Sequence, residues 1–139
     1  MEAHPTPRSD NILRLPYKSR PERDIAYMLD RHRIPFIYEK PIAVVDDGKT
    51  RLWYADFALR TGLLIEYFGV NGDPGYADRT RHKLKVYEQN QYDVLALYPP
   101  DMCGAWQNTL LDRIGMTLES RAQEYRHRIS ANNRNALFR

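Results

Sequence analysis

The stretch Trp53-Tyr54-Ala55-Asp56-Phe57-Ala58-Leu59-Arg60-Thr61-Gly62-Leu63-Leu64-Ile65-Glu66-Tyr67-Phe68-Gly69 decides the fold. Two apolar runs flank a turn at Arg60-Thr61-Gly62, which predicts a β-hairpin. Each run is apolar apart from one carboxylate. Alternation at period two puts Asp56 on the face of Tyr54 and Ala58, and Glu66 on the face of Leu64 and Phe68. A lone acid in so apolar a strand is costly to bury without a partner. Two of them on neighbouring strands point to a shared partner, and a divalent cation suits them.

Beyond the hairpin, the period becomes helical from about Tyr76 to Asn90. Tyr76, Thr80, Lys83 and Tyr87 fall at i, i+4, i+7 and i+11, on one stripe. Lys85 lies about 200° around the helix from Lys83, so only Lys83 shares that stripe. Tyr92 to Tyr98 reads as a further strand closed by Pro99-Pro100. A last core helix starts at Asp101 or Gly104 and runs through Trp106, Leu110, Leu111 and Ile114.

On the other side of the hairpin, Asp46-Asp47-Gly48-Lys49 is a turn. Phe36 to Val45 is a strand in which Pro41 marks an edge or a bulge. Before it, Ser19 caps a helix that ends at Ile34-Pro35. Pro21 suits the first turn, Glu22 stands as the capping-box acid, and Ile25, Ala26, Met28 and Leu29 form its apolar side, which Glu22 shares. The expected order is α-β-β-β-α-β-α, an α/β fold with a mixed central sheet flanked by helices.

Three segments are expected: an extended arm over residues 1–17, a core domain over 18–118, and a basic, partly helical tail over 119–139 that frays after Ser130. The tail carries five Arg against two Glu. With 139 residues, 42% of them hydrophobic, the chain can bury one core. The net charge of +3 permits a nucleic-acid partner without demanding one. Cys103 stands alone and the four His are scattered, which excludes a disulfide framework and a zinc spacing. No apolar run reaches the roughly 20 residues of a membrane span, and no signal peptide is visible, so the expectation is a soluble, cytoplasmic protein with no membrane association.

Glu22, Asp56, Glu66 and Lys83 are expected to converge. Carboxylates with a main-chain oxygen make a hard oxygen site for Mg²⁺, for which Mn²⁺ can substitute. An ammonium beside it orients a water and stabilises charge on phosphorus. This is the equipment of phosphodiester hydrolysis.

The same ordered set resembles the PD-(D/E)xK nuclease superfamily, the restriction-endonuclease-like fold, in which a helical Glu precedes a strand Asp and a (Glu/Asp)-x-Lys strand. Ala55-Asp56 stands where Pro-Asp is usual, and Glu66-Tyr67-Phe68 puts Phe where Lys is expected. The run Glu66-Tyr67-Phe68-Gly69, then Tyr76, then Lys83 to Tyr87, is similar to the Glu-x-Phe-Gly branch, whose lysine has moved to the following helix. The resemblance spans roughly residues 19–100.

The resemblance implies a Mg²⁺-dependent nuclease with a restriction-endonuclease-like core, a DNA endonuclease in the first place, with RNA and the cleavage specificity left open. Asp56 and Glu66 would be metal ligands together with the Tyr67 carbonyl. Glu22 would be an outer acid, and Lys83 would orient the attacking water. Cutting both strands would call for a homodimer or a partner protein. Phe68 keeps open a catalytically inactive nucleic-acid-binding or assembly subunit of the same fold. A small α/β interaction module is the third reading: Glu22 would cap with Ser19, Asp56 would bond the turn, and Glu66 would pair with Arg60 or Lys83.

Overall fold

The computed structural model describes residues 15–69 and 72–137, so most of the expected N-terminal arm lies outside the described residues. The elements are α1 (Arg20–Arg31), β1 (Phe36–Asp46), β2 (Lys49–Leu59), β3 (Leu64–Tyr67), α2 (Tyr76–Gln89), β4 (Val94–Leu97), a 3₁₀ turn (Pro99–Met102) and α3 (Trp106–Leu137). The order is the one expected. One mixed sheet runs β1-β2-β3-β4, antiparallel up to β3 and parallel between β3 and β4, with α2 as the crossover.

Local chemistry explains the boundaries. Ser19 caps α1, its hydroxyl accepting from the Glu22 amide at 3.3 Å, and α1 buries Ile25, Ala26 and Leu29. Asp47 and Gly48 both take positive φ, 52° and 72°, making the two-residue primed turn that matches strand twist between Asp46 and Lys49. Gly62 closes the second hairpin at φ 94°, with the Leu59 amide donating to the Leu63 carbonyl at 2.8 Å. Pro41 lies in β1, an edge strand, where its missing donor is tolerated. The outer side of that edge is held by α2 and the loop after it: the Asn90 amide exchanges two hydrogen bonds with Val45, and Tyr92 Oη donates to the Ala43 carbonyl.

Strict alternation does not survive along β2. Trp53 meets Tyr87 of α2 edge-on at 5.5 Å, whereas Phe57, four residues on and of the same parity, packs on Tyr38 at 5.4 Å, and Tyr38 bonds Glu22 of α1. Ala55 and Ala58, three apart, share one buried cluster with Val86 and Tyr87. The sheet faces therefore exchange within Asp56 and its neighbours, so the expected common face of Tyr54, Asp56 and Ala58 is not one face. The ladders show why. Phe36 to Tyr38 and Lys40 to Asp46 pair with β2, but Glu39 opposite Asp56 does not, and Glu39 takes φ +52°.

The chain divides into two compact units between Cys103 and Gly104. The second holds α3, a continuous helix of 32 residues that crosses position 119 without a break and stays helical past Ser130 to Leu137. Among the described residues no helix is long and apolar enough to cross a membrane.

Candidate active site at the sheet fork

β2 and β3 pair only at Phe57–Ile65 and Ala58–Leu64. The next rung would set Asp56 directly against Glu66, and there the ladder stops while β3 continues to Tyr67 beside β4. Asp56 thus stands where its ladders to both neighbouring strands lapse. Its Oδ2 turns into the gap and accepts from the Tyr67 amide at 2.8 Å. In a strand, the N–H and C=O of one residue face the same side. The Tyr67 carbonyl therefore also faces the fork.

Glu66 is almost wholly buried, 1% exposed, and both its oxygens have partners. Tyr87 Oη donates to Oε1 at 2.5 Å, and Lys83 Nζ donates to Oε2 at 3.2 Å. Lys83 lies on the stripe that the sequence pattern assigns to it, with Thr80 and Tyr87 buried, while Lys85 is exposed. Its ammonium also sits 5.9 Å over the ring of Phe68 and 5.8 Å over that of Tyr87. Phe68 therefore lies under the lysine that comes from the helix.

Electrostatics follow from this geometry. Burial, and then the neighbouring charge of Glu66, push the Asp56 carboxyl up to about 7; the Tyr67 amide and Lys83 oppose them. Burial and Glu66 likewise raise the Tyr87 hydroxyl, so it remains a donor.

No family model, curated protein or solved structure matches the chain. The site is therefore read from its own chemistry. Burial beside a second acid raises the Asp56 carboxyl's hold on its proton, and a cation competes with a proton for the same oxygens. Asp56, Glu66 and the Tyr67 carbonyl are hard oxygen donors, which fits Mg²⁺ with water and phosphate completing its shell. Among the described residues no three His, Cys, Asp or Glu side chains form a metal-holding group.

Glu22 accordingly stands outside the ligand pair. Its Oε2 accepts from Ser19 Oγ at 2.5 Å and its Oε1 from Tyr38 Oη at 2.9 Å. Tyr38 lies in the fields of both Glu22 and Asp56, which, after burial, help to raise its hydroxyl to about 12. Glu22 is thus connected to the site through a tyrosine.

Four participants escape the sequence reading. Tyr38 and Tyr87 bond the acids, and Lys18 Nζ lies 2.6 Å from Glu39 Oε1 and 4.0 Å from Asp56 Oδ1. The signal for Tyr87 was present, since it shares the stripe of Lys83. Nothing local marks Lys18, Tyr38 or Glu39.

Proposed function

We propose that this protein is a metal-dependent nuclease acting on DNA, built on a restriction-endonuclease-like core. The observation that carries the reading is the opposed pair Asp56 and Glu66 at the sheet fork, with Lys83 on the buried partner. The order of elements and the parallel fourth strand agree with such a core.

Asp56, one oxygen of Glu66 and the Tyr67 carbonyl would hold Mg²⁺. Once bound, the ion supplies a water of lowered pKa and neutralises charge developing on phosphate. Lys83 then turns from Glu66 toward the attacking water or a phosphate oxygen, guided by the aromatic faces of Phe68 and Tyr87. Tyr87 keeps Glu66 aimed at the fork through its short hydrogen bond. Tyr38 and Ser19 hold Glu22 in place, where it would serve as an outer acid to the metal site.

One observation favours a second reading, a nucleic-acid-binding subunit of the same fold without turnover. Both oxygens of Glu66 and of Glu22 are already hydrogen-bonded, as a structural network would have them. Plasmid, linear and single-stranded DNA incubated with Mg²⁺, Mn²⁺ or EDTA separates the two. The nuclease reading expects cleavage that needs the metal and disappears in Asp56→Ala and in Glu66→Ala with the circular dichroism spectrum kept. Cleavage that persists in EDTA or in both variants removes it. DNA binding without cleavage selects the second reading.

A further inference from the structure

Lys18 precedes the cap of α1, and neither the sequence pattern nor the mechanism above uses it. We infer that Lys18 is a second phosphate-binding ammonium of the fork, resting on Glu39 until a phosphodiester takes that carboxylate's place. The inference rests on the nuclease reading of Asp56 and Glu66.

Three features of the geometry carry it. The Lys18 amide donates to Tyr38 Oη at 3.0 Å and the next residue caps α1, so the main chain is fixed while the four-carbon stem is free to swing. The ammonium lies 4.0 Å from Asp56 Oδ1, the oxygen that the Tyr67 amide does not take. Its closer partner, Glu39, stands at the lapse in the β1–β2 ladder, opposite Asp56.

The Lys18–Glu39 pair is open to solvent, with side chains 57% and 38% exposed, and pairs of that kind are exchanged at little cost. Lys83, by contrast, is two-thirds covered and approaches from α2. Lys18 comes from the side of α1, so the two ammoniums flank the acid pair from opposite faces of the sheet. A phosphate oxygen set beside Asp56 Oδ1 would lie within reach of Lys18, whose ammonium is 4.0 Å from that oxygen. A cation held by Asp56 would also repel the ammonium and turn it toward that phosphate.

The test compares Lys18→Met, which keeps the stem, and Lys18→Arg, which keeps the charge. Binding of a labelled DNA duplex is measured in Ca²⁺, which supports binding better than cutting, across a salt series. Lys18→Met should weaken binding about tenfold and flatten the dependence of log K on log salt by about 0.9, the loss of one phosphate contact. Lys18→Arg should keep both. Binding of Mn²⁺ alone should be as tight or tighter in Lys18→Met, since a positive charge has left Asp56.

Unchanged DNA affinity and salt slope in Lys18→Met overturn the inference. Weaker Mn²⁺ binding also overturns it, marking Lys18 as a structural prop of the site. If the unaltered protein cleaves DNA and Lys18→Met matches it in both measurements, only the inference about Lys18 fails. If the unaltered protein binds neither Mn²⁺ nor DNA, the nuclease reading falls and takes this inference with it.

Discussion

Lys83 and Lys85 are two positions apart, yet only one of them touches the buried acid. Under the proposed mechanism Lys83→Ala should lower the single-turnover rate about 10²-fold or more. Lys85→Ala, a change at an exposed position, should stay within about twofold. If Lys85→Ala is the inactive variant, the helix phase assigned to catalysis is wrong. Lys83→Ala also removes one of the two partners of Glu66, so it should cost about 1–3 kcal/mol of stability, and the rates must be taken well below its melting transition. Tyr87→Phe separates these effects. It deletes the other donor and leaves the lysine, so urea unfolding should show a loss of about 1–3 kcal/mol with a smaller fall in rate. The phase of Lys83 was legible because a helical stripe is a local pattern. Tyr87 lies on the same stripe, but the Lys18–Tyr38 contact was not legible, since it spans 20 residues and arises from packing.

At the scale of elements, apolar runs and turn residues made the strands legible, and Ser19, Asp47-Gly48 and Gly62 set three of the boundaries. The exchange of faces around Asp56 was not legible. Counting by twos assumes an unbroken ladder, and nothing in Glu39 or Asp56 as residue types announces that their rung is missing. The consequence is functional. A strand that changes faces at Asp56 can be approached by Lys18 from the α1 side and by Lys83 from the α2 side. A second boundary offers a test of how firmly α1 is tied to this site. Ser19 both caps α1 and donates to Glu22, which Tyr38 holds from the strand. Ser19→Ala should lower stability by about 1 kcal/mol, read as a shift in the urea midpoint at constant slope. A neutral result would mean that Tyr38 alone fixes Glu22 and that the cap contributes nothing to the site.

At the scale of the whole molecule, the acid pair makes stability depend on pH and on divalent cations together. Asp56 holds its proton in the folded state up to about pH 7, whereas in the unfolded chain it loses it near the ordinary carboxyl value of 3.8. A carboxyl raised in this way favours folding fully below the unfolded value, and that contribution is lost as pH rises through the folded one. Across that window the folded protein holds up to one more proton than the unfolded chain, so stability should fall by as much as about 1.4 kcal/mol per pH unit from this group alone. Above pH 7 Asp56 is charged and faces Glu66 at the fork, which is where a divalent ion should help most. At a concentration 100 times its dissociation constant, Ca²⁺ or Mg²⁺ should add about 2.7 kcal/mol. The expected result is a melting temperature that falls from pH 5 to pH 8 without metal. Divalent ions should flatten that fall, raising the transition more at pH 8 than at pH 5. Asp56→Asn should remove the slope and most of the metal effect, because an amide does not titrate and offers the ion no charge. A melting temperature equally indifferent to Ca²⁺, Mg²⁺ and Mn²⁺ at pH 8 would mean that the pair is structural, with Lys83 its permanent counter-ion.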